Sequence, residues 1–133
     1  MNYVDGFLAA VPDDKKDAYL KHARFAADIF KEFGAERIVE CWEDDVPDGK
    51  VTDFRRSVQR TDGESVVFSW VAWPDKATRD AGWAKMMEDP RMANMEMPFD
   101  GKRMIYGGFT PILDVGPVDA QGARPASPVR RPR

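Results

Sequence analysis

From residue 2 to residue 11 the chain alternates. Tyr3, Asp5, Phe7, Ala9 and Val11 fall on one side of an extended strand; Val4, Gly6, Leu8 and Ala10 fall on the other. Pro12 ends the strand, and Asp13 or Asp14 can cap a helix. The period then changes. Tyr19, Ala23, Ala26, Phe30 and Phe33 recur at spacings of four and three, the apolar stripe of a helix that runs to about Phe33. Gly34 supplies its left-handed stop. "AERIVECWED", 35–44, is extended again, and "VPDG" turns the chain. Residues 51–60 fit either a single helical turn capped by Thr52 and carrying Phe54 and Val58, or an irregular segment. "TDG" at 61–63 marks a turn before "ESVVFSWVAW", the strongest strand signal in the chain. Pro74 ends that strand and Asp75 caps a second long helix, "KATRDAGWAKMMED", with Ala77, Ala81, Ala84 and Met87 toward the sheet. Pro90 breaks this helix. Asp100–Gly101 turns into a last strand at about 102–110, closed by Pro111. Its parity puts Met104 and Tyr106 on one face, and Arg103, Ile105 and Phe109 on the other.

Strand, helix, strand, strand, helix, strand is the ferredoxin-like βαββαβ order, an α+β fold on an antiparallel sheet. The third strand is apolar on both sides: Val66, Phe68, Trp70 and Ala72 on one, Val67, Val71 and Trp73 on the other. A sheet with one wet face should alternate instead. Right-handed crossovers place both long helices on the same face, which leaves the other bare. Each large apolar side chain left in water forgoes about 1.5–3 kcal/mol. The simplest cover is the same face of a second copy about a two-fold axis, which makes a dimeric α/β barrel.

The chain has 133 residues, 43% of them hydrophobic, enough for one domain with a real core. A net charge of −3 argues against a nucleic-acid partner. No apolar run approaches the ~20 residues that span a bilayer, and "MNYVDGFLAAV" lacks the basic start of a signal peptide. Cys41 is the single cysteine, so no intrachain disulfide forms and a cytoplasmic setting is expected. Residues 114–133, rich in proline and arginine, read as a mobile tail behind a domain at 1–113.

Candidate chemistry is sparse. His22, the only histidine, borders the apolar stripe of the first helix, where it is either a packed side chain or a general base facing the sheet. Arg103 on a half-buried strand needs an anion, drawn from Asp5, Asp44, Asp45 or Asp100, or from a ligand. Cys41 reads as an inert buried thiol. "EDDVPDG" lacks the alternation of a calcium loop, and one Cys with one His makes no zinc site. No metal and no cofactor are therefore expected. Trp42, Trp70 and Phe99, with Tyr3 and Asp5, are candidates to line a ligand pocket; His22, Arg103 and Tyr106 form the candidate catalytic set.

The stretches "YVDGF", "VECWEDDVPDGKVTDFRRSV", "VVFSWVAWP" and "DPRM…MPFDGKRMIYGGF" closely resemble the YbaA-like family of small bacterial proteins, over about residues 1–113. The resemblance implies a ferredoxin-like fold in the dimeric α/β barrel superfamily. It brings no established activity. A homodimer that binds a small molecule is the first functional expectation. A cofactor-independent monooxygenase or isomerase acting on an aromatic or quinone-like compound is the second, and a purely structural dimer the third.

Overall fold

Proline and glycine cut the chain where the hydrophobic period changes. In the computed structural model, which describes residues 1–117, the elements are β1 (Tyr3–Pro12), α1 (Lys16–Glu32), β2 (Arg37–Trp42), a single-turn α2 (Phe54–Ser57), β3 (Glu64–Trp73), α3 (Lys76–Glu88), a short α4 (Pro90–Ala93) and β4 (Ile105–Phe109). Of the expected tail, 114–117 are exposed and without regular structure, and 118–133 lie outside the described residues. The four-stranded sheet has the order β2-β3-β1-β4, with every neighbouring pair antiparallel. This is the ferredoxin-like α+β arrangement. β1 and β3 pair over their whole length, from Tyr3 opposite Trp73 to Pro12 opposite Glu64.

The inner face packs as read from parity. Tyr3, Ile29, Phe30, Val71, Trp73 and Met86 form one buried cluster; Ala9, Val11, Tyr19, Ala23 and Val67 form the next. Gly34, at φ 113°, ends α1 as expected. Gly108 lies under the Tyr3 ring, and a Cβ there would collide with the Tyr3 hydroxyl.

Four local expectations are corrected. Cys41, expected to be buried, is exposed, because β2 is an edge strand and Cys41 lies on its outer face. On α3, Ala77, Ala81, Ala84 and Met87 face solvent; Gly82 and Met86 are buried, with Arg79 and Trp83 beside them. The cause is Asp5, only 2% exposed on the inner face of β1. Its carboxylate accepts hydrogen bonds from Trp73 Nε1 (2.9 Å), Trp83 Nε1 (2.8 Å) and Arg79 Nη2 (2.7 Å). Arg79 and Trp83 are four residues apart, so both reach Asp5 only if that stripe of α3 points inward. A buried carboxylate outweighs the small apolar gain of three alanines. At α2, the cap is Asp53, which accepts from Arg56 N, and not Thr52. Arg103 is not on a strand. It closes a 3-10 turn, Gly101–Arg103, because the Asp100 side chain accepts from Lys102 N and coils the chain before β4.

The outer face is not wholly bare either. The segment after β2 returns across one end of it, and Val58 is buried there against Ala10 and Val66. Asp53 fastens this strap by accepting from Gly49 N (3.1 Å), Arg56 N (2.8 Å) and Arg56 Nε (3.0 Å).

Asp5→Ala is expected to destabilise the fold by about 3–5 kcal/mol, because it strands a guanidinium and two indole N–H groups. Urea denaturation followed by tryptophan fluorescence measures this.

Candidate functional site

Two features stand out once the core is accounted for. The first is what remains of the outer sheet face. Register places Val39, Cys41, Phe68, Trp70, Leu8, Ile105 and Phe109 on it. Phe68 is 52% exposed and Phe109 62%, with Ile105 and Trp70 also open to solvent. The Phe109 ring lies across Gly6 and Gly107, where the missing side chains leave it room. Phe54, on the strap, extends the patch; its ring centroid lies 6.4 Å from that of Phe68. Monomeric proteins rarely leave a continuous patch of this kind in water.

The second is a hydroxyl–carboxylate pair between α1 and β2. Tyr19 is buried, and its hydroxyl donates to Glu40 Oε1 at 2.6 Å. Glu40 lies on the inner face of β2, opposite Ser69 on β3. Aromatic rings gather around Tyr19, at centroid distances of 5.7 Å for Phe99, 6.0 Å for His22 and 6.4 Å for Trp42. Lys16 Nζ sits 5.2 Å from the centre of the Trp42 ring. His22 meets Phe99 edge-on at 6.1 Å. Desolvation pushes the pKa of Glu40 above its usual 4.5. Burial and the Glu40 charge push the Tyr19 phenol up, and burial pulls His22 below the usual imidazole value. Three titratable groups with displaced pKa values lie close together here, and of these Tyr19 and Glu40 are hydrogen-bonded to each other.

The structure brings together His22, Trp42 and Phe99 from the sequence candidates and separates the others. Tyr3 and Asp5 belong to the core under α3, where the Arg79 guanidinium lies 5.2 Å from the Tyr3 ring centre. Trp70 faces outward. Tyr106 is exposed on the edge strand, stacked at 6.4 Å on Phe7. Arg103 donates to both oxygens of Glu64 at 2.8 Å, to Asp100 at 3.1 Å and to the Gln59 carbonyl at 2.8 Å. That fork pulls the Glu64 pKa down to about 2. Tyr19 and Glu40 are functional candidates that sequence reading passed over. A signal existed: Glu40 and Ser69 are polar at inward positions of two adjacent strands. Among the described residues no group of three His, Cys, Asp or Glu side chains is placed to hold a metal ion, and no helix is long and apolar enough to cross a membrane.

Comparison with known proteins adds the lineage. The family described as "Protein of unknown function (DUF1428)" matches residues 2–101. The chain belongs to this family. "Uncharacterized protein YbaA" of Escherichia coli (strain K12) is 65% identical over 116 residues, which is 86% of this chain and 99% of that protein. Proteins of the same description from Escherichia coli O157:H7 and Shigella flexneri match to the same extent. No activity is established for the DUF1428 family.

Glu40→Gln keeps an acceptor for the Tyr19 hydroxyl and removes the charge. Since the folded pKa of Glu40 lies above 4.5, its contribution is present below that pH and is lost as pH rises through the raised value. The variant should therefore melt roughly 1–4 °C higher than wild type at pH 7–8, a small effect because the carboxylate is partly solvated. The difference should close below about pH 4. Thermal denaturation across pH tests both the sign and the window.

Proposed function

We propose that the chain works as a homodimer closed through the outer sheet face, a dimeric α/β barrel formed by residues 1–113. We further propose that it binds a small, flat, largely apolar molecule between α1 and the sheet. The observation that carries the dimer is the half-exposed aromatic pair Phe68 and Phe109 on a face whose inner side is already packed. Burying several such side chains, at about 1.5–3 kcal/mol each, supplies the driving force for association. Ligand binding is supported by His22, Trp42 and Phe99 gathered around Tyr19, whose hydroxyl holds the exposed carboxylate of Glu40. Such a site suits an aromatic or quinone-like compound with a polar edge. The exposed Cys41 thiol suits a reducing, cytoplasmic compartment.

Sedimentation equilibrium at micromolar concentration tests the assembly. Wild type should give twice the 15.1 kDa chain mass. Phe68→Glu should weaken self-association by about 100-fold or more, through a charge desolvated in the interface. A monomeric wild type would sink the reading. Native mass spectrometry of the freshly purified protein reports any retained small molecule.

The raised pKa of Glu40 favours one further reading, a cofactor-independent monooxygenase or isomerase in which Glu40 moves the proton and His22 and Tyr19 flank the substrate. Arg103, engaged by Glu64, and Tyr106, out on the edge strand, lie apart from this pair. Turnover of a quinol that drops about 100-fold or more in Glu40→Gln supports it; equal rates in variant and wild type discard it.

A further inference from the structure

The strap makes the two ends of the outer sheet face unequal. Across β2, β3, β1 and β4, the row at one end is Arg37, Ala72, Val4 and Phe109. The row at the other end is Glu43, Val66 and Ala10. The strap lies over this second row, with Val58 seated on Ala10 and Val66 of the two central strands. The first row is open at both edges, where Arg37 and Phe109 are exposed, and small at its centre. Between the two rows stand the large side chains, Trp70 and Phe68 on β3 with Leu8 and Ile105 beside them.

The β2 edge carries opposite charges at its two corners. Arg37 stands at the open corner and makes no salt bridge among the described residues. At the other corner, where the strap leaves β2, Asp44 and Asp45 are exposed and equally without an ion pair among those residues. Their acidic neighbours are engaged: Glu43 by Arg55 and Arg60, and Asp53 by Arg56.

These features select one arrangement of two outer faces. Sheets packed face to face lie about 10 Å apart. An axis along the strands sets the two straps over one another, on the same central strands at the same end, and leaves the far end gaping. An axis across the strands sets each strap over the partner's open row, where Ala72 and Val4 leave it room. Each end then holds one strap, the spacing is even, and the large side chains of the two copies meet between. A diagonal axis brings one β2 corner onto its own copy, arginine on arginine or aspartate on aspartate. The transverse axis instead exchanges the corners, because it lays β2 antiparallel over the partner's β2. We propose that two copies pack about this transverse axis, with Arg37 of each on the partner's Asp44 and Asp45. This rests on the homodimer reading above and adds which ends meet.

Charge reversal tests the pairing in the full chain, by sedimentation equilibrium at low ionic strength. Arg37→Glu should weaken self-association by about 10-fold or more, because it sets like charges together at both symmetric contacts. Asp44→Lys combined with Asp45→Lys should do the same. All three reversals in one chain should return the dimer close to wild-type strength. The three positions are exposed, so the fold tolerates the changes, and circular dichroism verifies it. Reversals at one corner that leave a wild-type dimer, or a triple variant no stronger than its parents, would overturn the transverse axis while leaving the homodimer standing. A wild type that sediments as a monomer would overturn both.

Discussion

Taking a carboxylate out of water costs several kcal/mol unless donors replace the lost hydration, and Asp5 sits in the middle of the inner face of β1 with almost no access to solvent. The chain meets this demand from two other elements. Trp73 closes β3 with its indole N–H on Asp5, and α3 brings Trp83 and Arg79 to the same two oxygens. One side chain thereby fixes where β3 ends against β1 and how α3 is rotated. The hydrophobic core alone would tolerate several rotations of a helix as weakly amphipathic as α3. The ionic contact leaves one.

The two faces of the sheet consequently have different characters. The inner face is tied by polar contacts that reach across the sequence: Asp5 with Arg79, and Tyr19 with Glu40. The outer face has such ties at the strap end, where Arg103 holds Glu64 and Arg55 and Arg60 pair with Glu43. Apart from the strap that seats Val58 on Ala10 and Val66, it offers rings and aliphatic chains to whatever comes next. Hydrogen-bonded geometry makes the inner side specific, while the outer side is left mainly with apolar surface.

Much of this was legible along the chain. Strand β3 begins and ends where its apolar run does, because the "TDG" turn and Pro74 leave no other boundaries. The parity of β1 and β3 named both faces correctly, since a period of two admits no intermediate setting. What parity and stripes cannot carry is a partner far away in sequence. The alanine stripe of α3 ignored Asp5, more than seventy residues earlier. Arg103 was set on a strand because its anchor, Glu64, begins a different one, and because the Asp100 turn takes up residues that alternate as a strand would. At the candidate site, His22, Trp42 and Phe99 were singled out as rare or flat residues, and they do gather. Tyr19 looked like a core stripe position and Glu40 like ordinary strand polarity; only the 2.6 Å contact between them gives either a chemical meaning.

The strap that returns over the outer face has a thermodynamic consequence. Asp53 and Arg56 fasten it within one chain: Asp53 takes two backbone N–H groups, and Arg56 reaches the Val51 carbonyl at 3.0 Å. Phe54 is therefore held at its station before any visitor arrives. Loop immobilisation is a common source of weak affinity, and here it is settled during folding. In the dimer proposed above, the partner copy meets a preformed wall, so modest contact area goes further than it would against a loose loop.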